Sequence, residues 1–164
     1  MNRPHYYIYD ASAGSGKTYT ITREYLCILL QQEKVFAFQN ILAITFTNKA
    51  AAEMKQRIVK ALVYFSGLDQ DLPFETLLND VASQTGLNKT EIQKKSLQVL
   101  KYLIPNYAGF EVSTIDSFNH RIIRTFAKDL KLSQNFEVEM EVEQFLKQAV
   151  EQHIDQVGID EKLT

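Results

Sequence analysis

The chain has 164 residues, 45% of them hydrophobic and 23% charged, a formal net charge of −2 and one cysteine. That composition suits one globular domain, or one and a fraction, and excludes an internal disulfide. No apolar run approaches the roughly 20 residues of a membrane span, and the opening MNRPHYYIYDAS lacks the apolar core of a signal peptide, so a soluble, cytoplasmic protein is expected.

Cys27, in an apolar helical run, is expected as a buried reduced thiol. The charge is unevenly spread. Residues 1–65 carry eight Lys or Arg against four Asp or Glu, whereas 133–164 carry two against eight. The basic half suits a polyanionic ligand, unless these cations are simply solvated helix faces.

In chain order, the aromatic and β-branched run Tyr6–Asp10 predicts a buried strand. A Gly-rich turn follows, then a helix over about 17–31 with Ile21, Tyr25, Ile28 and Leu29 on one side. NILAITF, residues 40–46, is a continuous apolar run that predicts a parallel strand covered on both faces. The next helix is expected over about 48–65, with Met54, Ile58, Ala61, Leu62 and Phe65 at helical spacing. Residues 66–110 then leave the strand–helix alternation. Phe74, Leu77, Leu78 and Val81, then Ile92, Val99, Leu100 and Leu103, predict two inserted helices, the second opened by Asn88 with Glu91 three residues on. FEVSTID, residues 110–116, returns to strand character, and Ser117 is the expected cap of a helix over 118–130. A last amphipathic helix is expected over about 141–157, through Val142, Leu146, Ala149, Val150, Ile154 and Val157.

The first strand-to-helix junction carries Ala11, Ser12, Ala13, Gly14, Ser15, Gly16, Lys17 and Thr18, close to the phosphate-loop pattern G-x-x-x-x-G-K-[ST]. Such a loop turns consecutive backbone N–H groups toward phosphate oxygens, which Gly14 and Gly16 permit at low steric cost. The start of the helix adds partial positive charge, Lys17 can reach the β- and γ-phosphates, and the Thr18 hydroxyl can ligate Mg²⁺. Ala11 replaces the first Gly, but that residue ends the strand and need not touch phosphate. Tyr19 follows directly and completes the candidate nucleotide segment.

Ligand sites of open α/β sheets form at the carboxyl ends of parallel strands, and two further junctions place polar residues there. At the first, Thr45 to Asn48 leave the strand end: Phe46 offers a face for base stacking, Thr47 and Asn48 can bond phosphate or sugar oxygens, and Lys49 adds charge. The other reading puts Phe46 in the core and makes Thr47 or Asn48 a plain helix cap. Thr114, Asp116, Ser117, Asn119 and His120 form the corresponding cluster at the second, with Arg121 and Arg124 read as either contacts or solvated cations.

Three segments carry a resemblance. ASAGSGKT resembles the first motif of the UvrD/RecB group of superfamily 1 DNA helicases, in which Ala commonly takes the first position. ITFTNKAAAEMKQRI, residues 44–58, is similar to that group's motif Ia, and STIDSFNHRIIRTF, residues 113–126, to motif Ic of the RecB-like branch. The resemblance covers about the first 130 residues, in the family's motif order. It implies an α/β P-loop NTPase of RecA-like fold: a three-stranded parallel core flanked by helices, a helical insertion at about 66–110, and the start of a helical subdomain. It also implies ATP and Mg²⁺ as cofactors and single-stranded DNA as the ligand of motifs Ia and Ic. The domain division expected is 1–132 for the ATP-binding domain and 133–164 for the beginning of the helical subdomain.

The family's later carboxylate motif, Arg finger and second RecA-like domain have no counterpart in these residues. GIDEKLT at 158–164 imitates the carboxylate motif without a strand before it. The chain therefore reads as the amino-terminal part of a larger ATP-driven helicase, one form of which carries a nuclease domain and a RecC/AddB-like partner subunit. By itself it is expected to turn over little ATP. Two alternatives stay open: a self-contained P-loop kinase or nucleotide switch, and a non-catalytic single-strand-binding module.

Overall fold

The computed structural model describes residues 6–10, 16–132, 146, 147, 149–151 and 154. The chain divides into two compact units, Met1–Phe118 and Asn119–Thr164. The first holds a two-stranded parallel sheet and most of the helices. Helix α1, Lys17–Gln31, starts after Gly16, whose φ of 82° lies in the left-handed region that glycine enters at no steric cost. Its buried face runs through Thr22, Tyr25, Leu26, Leu29 and Leu30, an i, i+3, i+4, i+7, i+8 series. That corrects the expected stripe: Tyr25 and Leu29 are inside, but Ile21 and Ile28 each fall one residue before an inward position and are exposed.

Strand β1, Ala43–Thr45, pairs in parallel with β2, Val112–Thr114, in the register Ala43↔Val112, Ile44↔Ser113, Thr45↔Thr114. Helix α2, Asn48–Phe65, covers one face of the pair, so Ala43 and Val112 are buried while Ile44 is 44% exposed. The expectation of a strand buried on both faces is thereby corrected. So is the three-stranded core. Residues 6–10 form no strand, because no described strand pairs with them, and Tyr6, Tyr7, Ile8 and Tyr9 are all exposed. Apolar composition alone does not make a strand; its backbone groups need a partner edge.

The helices of the excursion form where their spacing and caps put them. Thr47 Oγ1 accepts the Ala50 N–H at 3.1 Å to open α2, and Gly67, at φ 81°, turns the chain out of it with its N–H on the Tyr64 carbonyl. A Cβ on Gly67 would meet only the flexible end of the Gln93 side chain, so it is the positive φ that favours glycine there. Helix α3, Glu75–Thr85, packs on α1. Helix α4, Lys89–Leu103, packs on α2 and opens with the expected reciprocal cap: the Glu91 N–H donates to Asn88 Oδ1 at 2.9 Å and the Asn88 N–H to Glu91 Oε2 at 2.8 Å. Lys95 of α4 donates to the carbonyls of Leu30 and Gln32 at the end of α1, a cation at the negative end of the helix.

The core of this unit gathers Leu26, Leu30, Phe38, Ile58, Leu62, Ile92, Leu103 and Phe110, with Cys27 buried among them as expected. Tyr25 meets Phe110 edge to face at 5.8 Å, and its buried hydroxyl finds no hydrogen-bond partner among the described residues. Burial pushes that phenol's pKa up. Because an unsatisfied buried hydroxyl costs about 1–3 kcal/mol, Tyr25→Phe is expected to raise stability by about 1 kcal/mol. Thermal melts check this, and a lower melting temperature would show that the hydroxyl is satisfied.

Helix α5, Ile115–Thr125, begins in the first unit and carries the second unit's first residues. It starts three residues before the expected position, because Thr114 rather than Ser117 is the cap. Thr114 Oγ1 accepts the Ser117 N–H at 3.2 Å and donates to Ser117 Oγ at 2.8 Å, so the chain passes from strand to helix with no loop between. It also ends at Thr125, short of the expected 130, in a turn that buries Ala127 and places Lys131 at φ 57°. Of the helix expected over 141–157, residues 146, 147, 149–151 and 154 are helical, with Leu146, Val150 and Ile154 exposed; the others lie outside the described residues. No helix among the described residues is long and apolar enough to cross a membrane.

Candidate functional site

Of the phosphate-loop segment, Ala11, Ser12, Ala13, Gly14 and Ser15 lie outside the described residues, and Gly16 to Tyr19 lie within them. Gly16 caps α1 without any side-chain hydrogen bond, and the first turn holds no acidic residue. The leading N–H groups of the helix have no partner within it, and Gly16 offers them no side chain. Lys17 and Thr18 are exposed, and no described carboxylate pairs with Lys17. Thr18 also lines an open pocket of about 380 Å³, whose far wall is the polar face of α2, with Gln56, Arg57 and Lys60, closed at one side by Phe74. Arg57 and Lys60 have no described ion pair either, so the surroundings of the helix start are net cationic despite Glu53.

Tyr19 turns inward. Its hydroxyl donates to Asp80 Oδ2 of α3 at 2.7 Å, and partial burial, with that hydrogen bond and the Asp80 charge adding to it, pushes the phenol's pKa up to about 12. The hydroxyl is therefore a proton donor throughout the neutral range.

Phe46 follows the last residue of β1 and its ring is 90% exposed, which excludes a core position for it. Thr45 Oγ1 donates to the Thr47 carbonyl at 3.1 Å, Thr47 serves as the cap already described, and Asn48 and Lys49 stand exposed in the first turn of α2. The register sets Thr45 opposite Thr114, so Phe46 and Ile115 leave adjacent strand ends. Thr114 itself is buried and its hydroxyl is engaged in capping, while Asp116 and Ser117 are exposed in the first turn of α5. Asn119, exposed, and His120, half-buried, belong to the second compact unit and are placed there on α5.

Arg57, Lys60 and Asp80 do not announce themselves in the sequence. The spacing of Gln56, Arg57 and Lys60 on the polar side of α2 is legible in the chain, but their nearness to Thr18 is not. Nothing local marks Asp80, whose contact spans 61 positions.

Residues 5–164 match the family described as the UvrD/REP helicase N-terminal domain. The chain is 31% identical over 138 residues to an ATP-dependent helicase/nuclease subunit of Thermoanaerobacter sp. (strain X514), covering 84% of this chain and 9% of that protein. To the proteins of the same name in Clostridium botulinum (strain Langeland) and Clostridium perfringens (strain SM101) it is 35% identical over 91 residues and 31% identical over 105, which is 56% and 62% of this chain and 7% and 8% of theirs. The chain thus spans less than a tenth of the length of these relatives. No solved structure matches.

Proposed function

The chain belongs to the family of UvrD/REP helicase N-terminal domains, and from that premise we propose that it is the ATP-binding N-terminal part of an ATP-dependent DNA helicase, of the helicase–nuclease kind its relatives' names describe. Residues 1–132 form the ATP-binding domain of a RecA-like P-loop NTPase, interrupted by the excursion at 66–110, and 133–164 begin a helical subdomain. The longer protein works with a RecC/AddB-like partner subunit. The kinase, switch and non-catalytic readings gain nothing from the family match.

The chain's own residues fit a Mg-nucleotide. Ala11, Ser12, Ala13, Gly14, Ser15 and Gly16 would offer backbone N–H groups to the phosphates, Lys17 a charge for the terminal phosphates and the Thr18 hydroxyl a ligand for Mg²⁺, while Tyr19, bonded to Asp80, would border the site. The start of α1 on a glycine with no side-chain cap of its own, and the exposed Lys17 and Thr18, support this. Bound ATP supplies a phosphoanhydride whose cleavage drives movement along DNA. On the DNA side, Phe46 stacks a base, Thr45, Thr47, Asn48 and Lys49 approach the sugar–phosphate chain, and Thr114, Asp116 and Ser117 add contacts at the end of β2, with Thr114 acting by holding Ser117; Asn119 and His120 are DNA contacts of the second unit.

The observation that carries the reading is the bare Phe46 ring at the end of β1, beside the capped end of β2. Singly exposed apolar side chains are common, Tyr6 and Ile8 among them, and what distinguishes Phe46 is its place at the carboxyl end of a parallel strand, where open α/β sheets bind ligands. A titration of labelled oligothymidylate and of a fluorescent Mg-ADP analogue against the same chain, at low salt, tests the reading. Binding of both is expected. Nucleotide without DNA would favour a kinase or switch, and DNA without nucleotide a single-strand-binding module.

A further inference from the structure

Two side-chain links join α1, the helix that begins at the nucleotide segment, to α3, which lies in the excursion. Tyr19 donates to Asp80 at 2.7 Å, and Gln84 Nε2 donates to both carboxylate oxygens of Glu24 at 2.9 and 3.0 Å. Asp80 and Gln84 are one helical turn apart and so share a face of α3. Glu24 is also paired with its neighbour Arg23, whose guanidinium lies 3.0 Å from Oε1. The links therefore fall at two levels of α1, the upper one on the residue directly after Thr18.

That upper link sits where α1 has least support of its own. The first turn of a helix frays, because its leading N–H groups have no internal partner. Here Gly16 adds no side-chain cap, and its left-handed backbone would bring an added Cβ within 4 Å of no described atom. On the inner side, fully buried Thr22 donates its hydroxyl to the Thr18 carbonyl at 2.7 Å, which fixes the turn toward the core. On the α3 side, the short hydrogen bond from Tyr19 to the Asp80 carboxylate, stronger than one between neutral groups, fixes its rotation.

We propose that Asp80 is a positioning residue for the nucleotide site: through Tyr19 it holds the first turn of α1 in the orientation from which Lys17 and Thr18 meet the phosphates. The proposal rests on the nucleotide reading above. Phosphate and Mg²⁺ contacts tolerate displacements of only about 0.5 Å, so a turn left free to rotate binds with an added ordering cost. The excursion is then a buttress of the nucleotide site and not only a spacer between the two strands.

The test is a double-mutant cycle on affinity for a fluorescent Mg-ADP analogue, with thermal melts of every variant. Tyr19→Phe keeps the ring and removes only the donor, and Asp80→Ala removes the acceptor. Each is expected to weaken affinity about three- to tenfold, and the double variant no further than either single one, because both delete the same link. Asp80→Asn keeps an acceptor oxygen and should stay within about twofold of wild type. Affinity unchanged in Tyr19→Phe and Asp80→Ala, with only the melting temperature lowered, overturns the proposal, as does a double variant whose losses multiply. Should Asp80→Ala fail to fold, Tyr19→Phe against Asp80→Asn carries the same decision. A wild-type chain that binds no nucleotide overturns the nucleotide reading along with this one, whereas wild-type binding that ignores the link overturns this one alone.

Discussion

Replacing Lys17 with alanine is expected to lower affinity for Mg-nucleotide at least about a hundredfold, about 2.7 kcal/mol, while leaving the melting temperature unchanged. Lys17 is the first residue of α1, exposed, and engaged by no described carboxylate, so its ammonium supports no ion pair among the described residues. Its contribution falls on the ligand instead. A hydrogen bond to a charged partner is worth about 1.5–3 kcal/mol, and the lysine adds the attraction of a full charge to a polyphosphate at a helix end already biased toward anions. Lys17→Arg is not expected to rescue binding, because a planar guanidinium reaches farther and presents its donors in a fixed fork, whereas an ammonium is a compact point charge. Calorimetric titration of Mg-ADP beside thermal melts checks both variants. Affinity preserved in Lys17→Ala would remove the phosphate site from this chain, whatever the spacing of residues 11–18.

How much of the fold is legible in the sequence differs between helices and strands, for a physical reason. Helices α1 and α2 occupy the spans their spacing predicts, α4 opens at its expected cap and α3 carries the expected apolar residues Leu77 and Val81 inward, because helical hydrogen bonds are internal and signals such as Asn88 with Glu91 act over three positions. Tyr6–Asp10 has strand composition but no described strand beside it, and pairing between distant segments leaves no local mark. Ile44 shows the same limit from the other side, since whether a sheet face is covered depends on what packs there. The cap of α5 falls three residues before the one its sequence suggests, because a direct strand-to-helix passage, with Thr114 serving both, leaves no loop residues to read. The candidate site divides likewise. Lys17, Thr18 and Phe46 stand at junctions that announce themselves, whereas the Asp80 contact to Tyr19 arises only from the packing of α3 on α1.

Phe46→Ala is expected to weaken binding of single-stranded DNA by about 1–3 kcal/mol, roughly five- to 150-fold, with nucleotide affinity and melting temperature unchanged. The ring's 90% exposure decides the second half of that expectation: a side chain that buries nothing in the fold costs the fold little when removed. Phe110, fully buried against Tyr25, is the opposite case, and Phe110→Ala should cost stability by about 3–5 kcal/mol. Salt then separates stacking from charge. Each phosphate contact to a single strand contributes a slope of about −0.7 to the dependence of log affinity on log salt concentration. Lys49, exposed one residue into α2, should carry such a contact, so Lys49→Ala is expected to flatten the slope by about that amount. Phe46→Ala should shift the line downward without changing its slope, because a base lying on a ring releases no counterion. Anisotropy titrations of oligothymidylate across a range of salt concentrations measure both quantities on the same samples. Unchanged binding in Phe46→Ala would leave the exposed ring without a role in holding DNA, and a flattened slope in that variant would mean that the ring acts by placing a cation and not by stacking.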